Sequence, residues 1–204
     1  MKEKQKHILK ISESLFAKYG FGGTSVRMIA KEAGINIAMI SYYFGSKEKL
    51  LETLISERLT NFRLTIQEAI EKEDNYFDKV HVFVALLLLK VHEGRKIHKV
   101  IQLEFSRNQK KLDFSNFLDQ KRENFKFFIK LIKEGQEKGI FNKEANPELI
   151  MPTILGSYFN IYYNKKMYCN VYQFFSEENF DEFVTNTLTK HVQKTIKALL
   201  TYES

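Results

Sequence analysis

Apolar residues recur at steps of three and four through almost the whole chain, which is the spacing of one face of a helix. Ile8, Ile11, Leu15 and Phe16 do so among Lys and Glu, and predict a first helix that Gly20 and the Gly22–Gly23 pair end. Thr24 and Ser25 are suited to cap the next helix, whose short apolar face is Val26, Ile29, Ala30 and Ala33. Gly34 breaks that face. Asn36 is placed to cap a third helix carrying Ile37, Ile40 and Phe44, and Gly45 stops it. Ser46 caps a fourth, through Leu50, Leu51, Leu54 and Ile55, continuing to about Ile70.

Five more helices are expected beyond it. One near 75–92 is apolar almost all round and belongs at a centre. Others are expected near 95–108 and over 112–137, the latter ending before Gly139. A further helix starts from the cap Asn146 with Pro147 at its first position, and Pro152 predicts a kink or a restart near Met151. The last runs from about Glu177 to Leu200. Tyr168–Phe175 is the one non-helical candidate, a loop with buried rings. No segment has the alternation of a long strand, so the fold class is all-α.

Composition narrows the picture. The 204 residues include 2 Pro and 9 Gly, too few for a turn-rich sandwich. The single Cys169 excludes an intrachain disulfide and a cysteine zinc site, and suits a reducing cytoplasm. The apolar run Val82–Leu89 is far short of the roughly 18 residues of a membrane helix, and no signal peptide is read at the N-terminus. The net charge of +7 is uneven. Residues 1–50 hold nine Lys or Arg against four acids, an excess of five, and the remainder carries only +2. Such asymmetry points to a polyanion at the N-terminal end, and charge by itself leaves nucleic acid and a membrane surface undistinguished.

The motif decides between them. Thr24–Phe44 reads as two short helices joined at Ala33-Gly34-Ile35-Asn36, a helix-turn-helix in which Ile29, Ala30, Ile35 and Ile40 lock the pair. The second helix presents Asn36, Ile37, Ala38, Met39, Ser41, Tyr42 and Tyr43, with no acid to repel DNA. The string TSVRMIAKEAGINIAMISYYFGSKEKLL, preceded by LFAKYGFGGTSV, resembles the tetracycline-repressor (TetR) family of bacterial regulators over roughly the first 60 residues. The resemblance implies a helix-turn-helix domain over residues 1–50, joined through the fourth helix to a helical effector-binding and dimerisation domain over 51–204. It implies backbone contacts from Tyr42 and Tyr43, a phosphate contact from Lys47, and core packing for Phe44. Thr24 and Ser25 are expected to offer a helix N-terminus to a phosphate. Ser41 stands where the family commonly has an aromatic. Ile37, Ala38 and Met39 have nothing to hydrogen-bond a base, though they can meet thymine methyls, so Arg27, Asn36 and a tyrosine hydroxyl are the candidate readers of base edges.

The resemblance also implies a homodimer on a near-palindromic operator, built from the last two helices. The candidate interface is Ile154 and Gly156 on one helix and the stripe Phe180, Phe183, Val184, Leu188, Val192, Ile196 and Leu199 on the other. The competing reading packs that stripe into the chain's own core. A small apolar or aromatic effector is implied between the body helices, with His81, Phe83, Leu87, His98, Glu104, Phe105, Phe125, Phe128, Tyr158 and Tyr162 as candidate contacts. No nucleotide-binding, metalloprotease or hydrolase motif occurs, and no two of the five histidines have a metal-binding helical spacing, so neither enzyme activity, cofactor nor metal is expected. The alternative function is a helical nucleic-acid or membrane-surface binder without ligand control.

Overall fold

The computed structural model describes residues 3–106 and 112–201, with the backbone alone at 59–61. The described residues form helices and no strand. In chain order they are α1 (Glu3–Gly23), α2 (Val26–Glu32), α3 (Ile37–Phe44), α4 (Lys47–Ile70), α5 (Tyr76–Glu93), α6 (Arg95–Ser106), α7 (Ser115–Glu137), α8 (Pro147–Tyr163), α9 (Lys165–Tyr172), α10 (Glu177–Glu182) and α11 (Thr189–Thr201). A π turn over Phe183–Leu188 joins the last two into one continuous helix. The all-α expectation holds. The end of the helix expected over 95–108 lies outside the described residues.

Two compact units result. The first holds residues up to 61 together with 94–121, and the second holds 62–93 with 122 onward. In the first unit, Ile8, Leu9 and Phe16 of α1 pack with Ile29, Ile40, Leu50 and Leu54, and with Ile97, Val100 and Ile101 of α6. Helix α6 thus sits against α1, in the same unit as the helix-turn-helix. Its buried positions Ile97, Val100, Ile101 and Glu104 fall on one face, and α1 packs against this helix.

The second unit packs α5, α7, α8 and the α10–α11 helix around Phe83, Leu87, Phe128, Ile132, Ile154 and Tyr158. Gly135 lets the Phe141 ring lie against α7, because a Cβ there would meet that ring at 2.2 Å. Helix α8 runs unbroken from the Asn146 cap through Pro152, so the restart near Met151 does not occur. The flanking turns hold the helix across the one donor that proline removes. The stretch expected as a loop is mostly α9, which ends at Gln173 in the left-handed region. Of its rings only Phe174 is fully buried, and Phe175 is 71% exposed.

The last helix explains its own π turn. Phe180, Val184, Leu188, Val192, Ile196 and Leu200 are buried at strict four-residue steps. Each such step overshoots a 3.6-residue turn by about 40°, and five steps would carry the stripe off the core face. The wider π turn takes up the drift, and Thr189 closes it by donating its N–H to the Val184 carbonyl.

Candidate nucleic-acid interface

Glycines set the corners of the first unit. Gly20 at φ 74° interrupts α1, Gly34 at 64° turns α2 into α3, and Gly45 at 80° ends α3. An L side chain is strained at such angles. Between the corners, side chains take the helix-end donors. Ser25 accepts from the Met28 N–H at 3.2 Å, Asn36 Oδ1 from Ala38 at 2.8 Å, and Ser46 from Lys49 at 3.1 Å. Ile35 N–H reaches back to the Ala30 carbonyl at 3.0 Å and closes the turn. Ile29, Ala30, Ile40 and Phe44 are buried between the helices, as the motif predicts.

The outward face of this arrangement is α3. Ile37 is 42% exposed and Tyr42 80% exposed. Asn36, Ala38 and Ser41 are exposed, while Met39 and Tyr43 are half-buried. The Tyr42 and Tyr43 rings meet edge to face at 5.1 Å. On α2, Ser25 and Arg27 are exposed.

Two of the expected contact residues have partners inside the protein. Thr24 is buried, and its hydroxyl is directed at the carbonyls of Gly20 at 2.8 Å and Leu15 at 3.1 Å. It fastens the α1–α2 connection and does not present its hydroxyl to a phosphate. Lys47 donates to the carbonyls of Phe21 and Thr24, both at 2.9 Å, with its ammonium 4.2 Å from the Phe21 ring centre. Two of its three N–H donors therefore tie α4 to the same connection, and one is left for another acceptor. Sequence spacing places Lys47 in a first helical turn but cannot show carbonyls more than twenty residues away.

The candidate effector contacts are divided between the two units. His98, Glu104 and Phe105 lie on α6 in the first unit, whereas His81, Phe83, Leu87, Phe125, Phe128, Tyr158 and Tyr162 lie in the second. Phe83 and Phe128 are buried and stacked at 4.0 Å. Tyr158 stacks on Tyr162 at 5.9 Å. The polar group that sequence reasoning missed is His92, which is buried. Its Nδ1 is 2.9 Å from the Tyr158 hydroxyl and its Nε2 2.7 Å from Asp181 Oδ1, so it joins α5, α8 and α10. The signal was its four-residue step from the buried Leu88 on an apolar helix.

The candidate interface stripe is likewise redirected. Ile154, Phe180, Val184, Leu188, Val192 and Ile196 are buried in the second unit's own core, so they are not an outer surface. Phe183 is half-buried against Tyr172 and Phe174. Leu200, not Leu199, continues the stripe, because the four-residue step from Ile196 lands there. Leu199 and Gly156 are exposed, and nothing lies within 4 Å of a Cβ built at Gly156.

A short helix held by caps and a glycine corner, with an uncharged outer face beside exposed Arg27 and Lys31, defines a helix-turn-helix module of the kind transcriptional regulators carry. Residues 8–54 match the family described as "Bacterial regulatory proteins, tetR family", and residues 55–184 match "YsiA-like protein, C-terminal region". The chain belongs to the TetR family of transcriptional regulators, which are not enzymes. A "Probable HTH-type transcriptional regulator YttP" of Bacillus subtilis is 47% identical over 62 residues, which are 30% of each chain. The "HTH-type transcriptional repressor KstR2" of Mycobacterium tuberculosis is 24% identical over 144 residues, covering 70% of this chain and 72% of that one. The regulator FadR from Bacillus subtilis, solved in complex with stearoyl-CoA, has the same fold with a TM-score of 0.69. It is 19% identical, and the likeness covers 98% of this chain and 99% of that chain. Among the described residues, no helix is long and apolar enough to cross a membrane, and no cluster of potential ligands could hold a metal ion.

Proposed function

We propose that this chain is a repressor that binds a near-palindromic operator as a homodimer and is released by an effector with a long apolar chain. The observation that carries the reading is α3, whose exposed face has no charged side chain and is flanked by the exposed Arg27 and by the Lys47 ammonium. That face enters a major groove, with Ser25, Tyr42, Tyr43 and the remaining Lys47 donor directed to phosphates, and Arg27, Asn36 and Ser41 near base edges. Asn36 Oδ1 already accepts from Ala38, so it reads with its amide N–H groups. One short helix makes few contacts, and two copies on a duplex roughly double the binding energy.

The second copy docks on the outer seam of α8. Leu149, Thr153, Gly156, Asn160 and Tyr163 are all exposed and recur at steps of four and three, the spacing of a helix-pairing seam. The open space over Gly156 supports a close helix approach there. The effector class is taken from the likeness to the stearoyl-CoA complex. An aromatic body of this kind suits an apolar chain, and an effector acts by binding the conformer that fits DNA less well.

The test is selection of duplexes from a random pool, followed by footprinting and titration with stearoyl-CoA. A near-palindromic site bound by two copies, released by stearoyl-CoA and not by free coenzyme A, is expected. Equal binding to all duplexes would overturn the repressor reading, and binding of the selected site unchanged by any acyl chain would overturn the effector class.

A further inference from the structure

We infer that Ile37, with Ala38 beside it, reads thymine C5-methyl groups in each half-site, so that thymine recognition is the direct readout α3 itself supplies beside whatever Arg27 contacts from α2. The inference rests on α3 entering the major groove. At the N-terminal end of such a helix, side chains meet base edges. Here those side chains are Ile37, exposed over 42% of its surface, and Ala38, also exposed. α3 carries no Arg, Lys, Asp or Glu, so it cannot make the paired hydrogen bonds by which Arg or Lys recognises guanine, nor accept from the cytosine amino group with a carboxylate. The cap ties Asn36 Oδ1 to the Ala38 N–H at 2.8 Å, which occupies one of its two lone pairs and fixes the amide's orientation, so Asn36 is not free to turn for the two-point recognition of adenine.

What α3 does offer is apolar surface in an exposed position. The one apolar group on the major-groove edge of the bases is the thymine methyl. Ile37 is free to serve because it is not part of the core: Ile40 and Phe44, one and two turns on, are the residues that anchor α3. The caps at Asn36 and Gly45, with Ile40 and Phe44 buried, fix α3 and keep Ile37 on its outer side.

The experiment uses the duplex that the native protein selects from a random pool. Each thymine is replaced in turn by deoxyuridine, which removes the methyl and keeps every hydrogen-bonding group. Affinity is expected to fall about fourfold per methyl at one or two positions in each half-site, the value of burying one methyl group. In Ile37→Ala the penalty at one of those positions is expected to vanish, so that thymine and uracil duplexes bind alike. Uracil without effect at every position, or a penalty undiminished in Ile37→Ala, overturns the inference. The uracil series on the native protein stands by itself if the variant is poorly folded. A pool in which no sequence is enriched counts against the repressor reading instead, so the two failures are distinct.

Discussion

Replacing Lys47 with Met keeps an unbranched stem against Phe21 and removes the ammonium. Lost are two charge-assisted hydrogen bonds at 2.9 Å and a cation–ring contact at 4.2 Å. Each such hydrogen bond is worth about 1.5 kcal/mol at the lower end of its range, which suits a half-buried site. The ring contact adds about 0.5 kcal/mol. Rehydration of the two carbonyls and regained side-chain freedom return about 1–1.5 kcal/mol. The net loss is then about 2 kcal/mol, or roughly thirtyfold in the opening equilibrium of the α1–α2 connection. Hydrogen exchange followed by mass spectrometry over residues 20–46 measures it. The same variant reports on DNA: if the remaining donor meets a phosphate, the salt slope of binding falls by about 0.9 for each copy bound. Unchanged exchange over 20–46 would refute the tie, and would leave Lys47 as a surface charge whatever happened to the slope.

Two other outcomes follow from histidines, one half-buried and one buried. Burial pushes the His98 imidazole down from 6.5 to about 4, with the charges of Lys121 and Arg58 adding to the effect. The unfolded chain then binds a proton that the folded unit refuses, so the first unit should lose stability as pH falls from about 6.5 to 4, by at most about 3 kcal/mol, and be indifferent to this group above 6.5. Melting of native and His98→Gln protein across that range checks it; a slope unaltered in the variant would exclude His98 as the source. In the second unit, His92→Phe severs the contacts to Tyr158 and Asp181 and should cost about 2 kcal/mol. Adding Tyr158→Phe should cost less than it does in the native background, and strictly additive losses in such a cycle would contradict the pairing.

The reader was legible in the sequence because its signals are local. Caps at Ser25, Asn36 and Ser46, the positive-φ corners at Gly20, Gly34 and Gly45, and the buried Ile29 and Ile40 lie within a few residues of what they act on. Periodicity likewise determined the all-α class and most helix limits. Whether a polar group is available was not legible there. Thr24 looked like a surface cap, yet its hydroxyl is committed to Leu15 and Gly20. Lys47 looked like a free charge, yet it closes a connection formed by residues 23 and 26 positions earlier.

The same limit governed the body. Residues 177–200 read as a helix with one apolar stripe, and they form one. A stripe has the same pattern whether it meets its own core or a second copy, because periodicity records which side is apolar and not what lies opposite. Only the tertiary structure turned Phe180, Val184, Leu188, Val192 and Ile196 inward, and it left Leu149, Thr153, Gly156, Asn160 and Tyr163 of α8 outside. It also assigned α6, with His98 and Glu104, to the unit of the helix-turn-helix, and Phe83 and Tyr158 to the other unit. The sequence by itself determined the helical segments apart from α9, and where the helix-turn-helix lies, since both depend on neighbours in the chain. Which faces are buried, and which polar atoms are still free, depends on residues far apart in the chain, and only folding brings those together.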